Sequence, residues 1–187
     1  MRVNCAASAF AYIVSGLLDA VDGHVSRALN QSTKFGAMLD MLVDRCASMC
    51  LLACLIVFYV EWMFVFQLVM IVDIASHWLH MHSAIAGGAE SHKTLDFSNY
   101  PLLRIYYRNR IVLFLMCLGN ETFYCSLYLY HFHSQPSVLG INLWATIAYL
   151  TAPVALGKSL INLLQLGLAA VNMASLDTNE QQKKCAQ

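Results

Sequence analysis

The chain has 187 residues, 59% of them apolar (Tyr counted, Gly not) and 12% charged. Soluble domains carry roughly 25% charged residues, so this composition, with a mean hydropathy of +0.57, excludes a soluble globular enzyme and a disordered chain. Eleven basic residues balance eleven acidic ones, which leaves no net field to draw a nucleic acid. The length implies one domain, 1–187, whose apolar excess faces lipid.

A bilayer core about 30 Å thick takes about 20 apolar residues as a helix. Apolar runs lie at 5–21, 36–60, 62–86, 111–133 and 140–172, so the expected fold class is all-α, a polytopic transmembrane helical bundle of five spans. The last run is too long for one straight span, and Pro153 with Gly157 predicts a kink or break there. The start, Met1 to Ala7, lacks the basic region and clean apolar core of a cleavable signal. Cys46, Cys50 and Cys54 recur every four residues and read as small packing residues, not as half of a disulfide framework.

Basic residues set the orientation. Arg27 and Lys34 follow the first span; Lys93, Arg104, Arg108 and Arg110 follow the third; Lys183 and Lys184 end the chain. These stretches face the cytosol, and the turns at Glu61 and Ser134–Ser137 face the lumen. Met1 then starts in the lumen, which predicts a leading helix missing from this chain. Residues 87–110 read as a cytosolic loop with a short interfacial helix, and 177–187 as a mobile cytosolic tail.

An aspartate in a membrane segment is expensive, yet four cluster here. Asp19 and Asp22 are three apart at the end of the first span, and Asp40 and Asp44 four apart near the start of the second. Each spacing puts both carboxylates on one helical face. Such crowded groups cannot all ionise without compensation. All-oxygen ligation favours Mg²⁺ or Mn²⁺ over zinc, and two such ions suit displacement at phosphorus. Capped or salt-bridged aspartates, with Asp44 beside Arg45, are the bland alternative. The intervening residues fit a phosphate site: Gly23 and Gly36 admit close approach, Arg27 can grip a phosphate bidentately, and Ser32 and Thr33 offer hydroxyls.

Asp19-Ala-Val-Asp22-Gly23-His24-Val25-Ser26-Arg27, then Gly36, Asp40 and Asp44, resembles the CDP-alcohol phosphatidyltransferase signature D-x-x-D-G-x-x-A-R-x8-G-x3-D-x3-D. Ser26 departs from the usual Ala, small for small. Wider segments, among them SGLLDAVDGHVSRALNQSTKFGAMLDMLVDRC, DIASHWLHMHS and GNETFYCSLYLYHF, are similar to the inositol-using members of that family. The resemblance implies a six-span parent, two metals on Asp19, Asp22, Asp40 and Asp44, and Asp44 as general base. It implies CDP-diacylglycerol contacts at Gly23, Arg27 and Thr33, and a homodimer in the endoplasmic reticulum membrane with its site facing the cytosol. The implied reaction joins CDP-diacylglycerol and myo-inositol to give phosphatidylinositol and CMP. A choline- or ethanolamine-type transferase, or an inactive shortened form acting as a membrane partner, stays open.

Other polar residues are less specific. Asp73, His77 and His80 share a face of the third span, near Ser76, and read as polar packing or a wall of the acceptor site, with a second metal site as the lesser alternative. Glu121 and Lys158 lie deep in spans and are expected to pair. Arg104, Lys158, Asp73 and His77 are the candidates for holding inositol. The aromatics over 124–132 read as an interfacial belt. Sequons at Asn30 and Asn120 fall on cytosolic and intramembrane positions, where no glycan is added.

Overall fold

The computed structural model describes residues 4–31, 33–86, 106, 108–133 and 141–185. They form α1 (Cys5–Ala28), α2 (Lys34–Phe58), a 3₁₀ turn (Val60–Trp62), α3 (Met63–Ala86), α4 (Arg110–Phe132) and α5 (Leu143–Cys185), with no strand element among the described residues. Five helices are long and apolar enough to cross a membrane, as the apolar runs require. The chain is an all-α, multi-pass membrane protein. Most of the loop expected at 87–110, and the turn at 134–137, lie outside the described residues.

Helix α1 continues to Ala28, beyond its apolar stretch at Gly23. Gly23 to Arg27 therefore belong to the helix instead of the linker. Its end is a Schellman stop. Asn30 takes φ 54°, a left-handed value that Asn tolerates, and the Gln31 N–H donates to the Ser26 carbonyl at 2.9 Å. Thr33 then caps α2, its hydroxyl oxygen accepting from the Gly36 N–H at 2.9 Å. A Cβ at position 36 would stand 3.1 Å from that oxygen, so the glycine leaves the cap room. The link between the two aspartate-bearing helices is thus short and closed at both ends.

Of the kink or break expected at Pro153, the break does not occur: helix α5 is continuous from Leu143 to Cys185 with the proline inside it. One turn before the proline's gap, the Thr151 hydroxyl donates to the Ile147 carbonyl at 2.7 Å. The polar stretch from Asp177 is helical as far as Cys185.

The chain packs as two compact units, Met1–Met70 with Gly119–Ala155, and Ile71–Leu118 with Leu156–Gln187. The core of the first unit joins Leu51, Leu52 and Leu55 of α2 to Phe66 of α3 and to Tyr124, Tyr128 and Leu129 of α4. The expected interfacial belt is corrected here: Tyr124 and Tyr128 are 4% and 2% exposed, because their four-residue spacing turns both toward the leucine stripe of α2. Phe58 stacks on His131, with ring centroids 4.2 Å apart. Large apolar side chains such as Phe10, Leu18 and Leu150 are exposed, on the surface a bilayer covers. All seven cysteines are free thiols, and Cys46 and Cys50 are exposed instead of packed.

Helices α4 and α5 meet at Gly119, where an added Cβ would lie 2.6 Å from Val154 Cγ1. Such small-residue contacts let membrane helices approach closely. Gly119→Val is expected to destabilise the first unit by about 1–3 kcal/mol, read as a lower Tm in detergent. Gly119→Val with Val154→Ala should recover much of the loss.

Candidate functional site

Asp19 and Asp22 stand on α1, and Asp40 and Asp44 on α2. One carboxylate oxygen from each of Asp19, Asp22 and Asp40 lies within 4.8 Å of the other two. Asp19 is half-buried, and Asp22 and Asp40 are exposed. Asp44 stands outside that set of distances, yet its charge acts on Asp19 together with those of Asp40 and Asp22. Its own carboxylate faces the Arg45 guanidinium at 3.5 Å and is 48% exposed. A contact that long and that wet contributes little, so Asp44 keeps lone pairs for another partner.

Three carboxylates so close repel one another strongly unless a cation intervenes. Their donor set is all oxygen, which suits a hard divalent ion and not zinc. Among the described residues no Lys or Arg side chain is ion-paired with Asp19, Asp22 or Asp40. The residues present therefore fit a divalent metal. Thr33 uses its oxygen as the α2 cap, which leaves its O–H to donate. The Arg27 side chain and Arg104 lie outside the described residues. Arg108 is described and exposed.

Glu121 and Lys158, expected to pair, fall in different units, and each has partners within its own. In the first, Glu121 accepts from the Tyr12 hydroxyl at 2.6 Å and the Ser48 hydroxyl at 3.1 Å. The Asn120 amide also donates to it, at 3.3 Å. In the second, Lys158 Nζ lies 3.6 Å from Asp73 Oδ1. Asn162 donates to that same oxygen at 2.7 Å. His77 Nδ1 stands 3.6 Å from it and 2.8 Å from the Asp73 carbonyl, and Ser76 donates to the carbonyl at 3.0 Å. Asp73, Lys158 and Asn162 are all buried. Further along, Asn172 donates to Ser83 at 2.5 Å.

Sequence reasoning singled out Asp73, His77 and Lys158 but missed Asn162, Tyr12 and Ser48. The signal was present for two of them. Ser48 continues the four-residue stripe of Asp40 and Asp44, and Asn162 follows Lys158 by four, each on the same helical face as its predecessor. Tyr12, among other aromatics in an apolar span, carried no such mark.

Five helices long and apolar enough to cross a membrane, with an acidic cluster gathered between the first two, define a membrane protein whose cluster fits a divalent cation. The family model for CDP-alcohol phosphatidyltransferase matches residues 1–174, and the chain belongs to that family of transferases. The family is divalent-metal dependent in general. The chain is 55% identical to the CDP-diacylglycerol–inositol 3-phosphatidyltransferases of Rattus norvegicus and Homo sapiens, over 95% of its own length and 83% of theirs. It is 45% identical to that of Drosophila melanogaster, over 98% of this chain and 80% of the relative. No solved structure matches the chain.

Removing one partner of a buried ion pair strands the other charge, at about 3–5 kcal/mol. Lys158→Met is expected to destabilise by that order, and Asp73→Asn with Lys158→Met to be nearer the parent than Lys158→Met alone. Thermal unfolding of the purified variants checks the ordering. Thr33→Ala, by loss of the α2 cap, should cost about 1 kcal/mol in the same measurement.

Proposed function

We propose that this chain transfers the phosphatidyl group of CDP-diacylglycerol to myo-inositol, giving phosphatidylinositol and CMP. The observation that carries the reading is the convergence of Asp19, Asp22 and Asp40 within 4.8 Å, on a motif spaced as the family spaces it. Inositol as the acceptor is supported by the relatives, each named for transfer to inositol.

Asp19, Asp22, Asp40 and Asp44 would hold two ions of Mg²⁺ or Mn²⁺, which when bound supply neutralisation of the pyrophosphate and of the departing phosphate. Asp44 takes the proton of the attacking inositol hydroxyl; its half-exposed carboxylate and weak hold on Arg45 suit a base that must reach an incoming substrate. The inositol oxygen bonds the phosphorus that bears diacylglycerol, and the bond from that phosphorus to the CMP oxygen breaks. Direct displacement needs no covalent enzyme intermediate. Gly23, Arg27 and Thr33 orient the CDP portion, with the Arg27 fork and the Thr33 hydroxyl donating to phosphate oxygens.

The inositol contacts are assigned to Arg104, Asp73, His77 and Lys158. Support comes from the polar cluster of Asp73, His77 and Lys158 in the second unit, where Asn162 Oδ1 and Gln165 Oε1 are buried acceptors with no protein donor among the described residues. Hydroxyl groups of a polyol are donors that such acceptors lack. The family domain is taken as a single functional unit over 1–187, working as a homodimer with membrane lipid around it. The basic stretches argue for an active site on the cytosolic face of the endoplasmic reticulum membrane.

Labelled myo-inositol supplied with CDP-diacylglycerol and Mn²⁺ or Mg²⁺ to the purified protein is expected to enter phosphatidylinositol. Asp44→Asn should lower the rate by about 10²–10⁴-fold. Incorporation of choline from CDP-choline in place of inositol would contradict the acceptor, and an undiminished Asp44→Asn rate would remove Asp44 as the base.

A further inference from the structure

Glu121 sits in a membrane-crossing helix with no ion pair among the described residues, and its two oxygens collect three donors. Tyr12 Oη donates to Oε2 at 2.6 Å, and Ser48 Oγ and Asn120 Nδ2 donate to Oε1 at 3.1 and 3.3 Å. An ionised carboxylate is acceptor-only, and this is the donor set it needs. Two of those donors come from the helices that carry the aspartates. Tyr12 precedes Asp19 by seven residues on α1, and Ser48 follows Asp44 by four on α2. Both spacings return to nearly the same helical face. The rung held by Glu121 is thus about 10 Å from Asp19 along α1, and about 6 Å from Asp44 along α2, at 1.5 Å per residue.

The geometry points to Glu121 as a positioning residue: it clamps α1 to α2 through Tyr12 and Ser48, and so fixes the separation at which Asp19 and Asp22 meet Asp40. Cys5, Ala9 and Tyr12 of α1 also pack against the core that α2 shares with α4, and the Glu121 contacts add a directional polar tie to that packing. The link joining α1 and α2 is a five-residue turn, 29–33, that leaves their rotation and spacing free one turn further on. Ser48 is 7% exposed, so its hydroxyl cannot fall back on solvent. Charge also favours the arrangement. Neutral hydroxyl and amide donors satisfy the carboxylate without placing a cation beside the aspartates, where it would compete with a metal. The inference rests on the reading of the aspartates as a metal site.

The test is Mn²⁺ affinity of the purified full chain, measured by electron paramagnetic resonance of free Mn²⁺, for wild type, Tyr12→Phe, Ser48→Ala, Glu121→Gln and Asp40→Asn. Tyr59→Phe is the structural control. It deletes another interhelical hydroxyl bond of the same unit, from Tyr59 to the Leu127 carbonyl at 2.9 Å, at the far end of α2. Tyr12→Phe and Ser48→Ala are expected to weaken Mn²⁺ binding by about tenfold. Glu121→Gln, which keeps one carbonyl acceptor, should weaken it less, and adding Tyr12→Phe to it should cost less than the two separate effects combined. Tyr59→Phe should lower Tm and leave Mn²⁺ affinity unchanged. Tyr12→Phe and Glu121→Gln affinities that match Tyr59→Phe, while Asp40→Asn abolishes binding, would overturn the clamp and leave the metal reading intact. Absence of Mn²⁺ binding in wild type would overturn the metal reading and the clamp with it.

Discussion

Uncompensated charge is not tolerated in a hydrocarbon layer, and the placement of every carboxylate deep in this chain follows from that constraint. Asp73 is met by Lys158 and an Asn162 amide. Glu121 is met by two hydroxyls and an amide. Asp19, Asp22 and Asp40 are different, because their nearest charged company among the described residues is one another and Asp44. Asp73 and Glu121 are compensated by protein groups, whereas among the described residues no Lys or Arg is ion-paired with Asp19, Asp22 or Asp40. That contrast, more than acidity alone, separates a site from a structural pairing.

The architecture serves the contrast. A Schellman stop at Asn30 and a Thr33 cap on α2 bring two helices together across five residues, so Asp19 and Asp22 of one meet Asp40 of the other, with Asp44 one turn further on. The leucine stripe of α2 packs on Tyr124 and Tyr128 of α4, and it continues, at four-residue spacing, the face that carries Asp40, Asp44 and Ser48. One face of α2 thus carries the aspartates at its start and the packing residues further along.

Much of this was legible in the sequence, because the determinants are local. Span positions follow from runs of apolar residues, and the aspartate faces follow from spacings of three and four. The Glu121 and Lys158 partners were not legible, since depth in a span says that a charge needs a partner but not which helix provides it. Glu121 found hydroxyls 109 and 73 residues away, and hydroxyls carry no charge to mark them as partners. The aromatic run at 124–132 misled for a related reason. Composition suggests a belt, while the four-residue register of Tyr124 and Tyr128 turns them inward against α2. Pro153 predicted a kink or a break, and the helix is not broken there, because a membrane helix keeps its neighbours' bonds on either side of one missing donor.

The central claim is that the aspartate cluster is held apart from its own repulsion by divalent cations. Thermal unfolding of the detergent-solubilised chain in a chelator, against a series of Mn²⁺ or Mg²⁺ concentrations, addresses it without reference to turnover. A ligand that binds only the folded state at a hundred times its Kd stabilises by about 2.7 kcal/mol. The account predicts a saturable rise in Tm for the wild type, lost in Asp19→Asn with Asp40→Asn. That double variant should also be the more stable of the two proteins in chelator, since it removes charge repulsion. A wild-type Tm indifferent to metal, or an equal rise in the double variant, would contradict it.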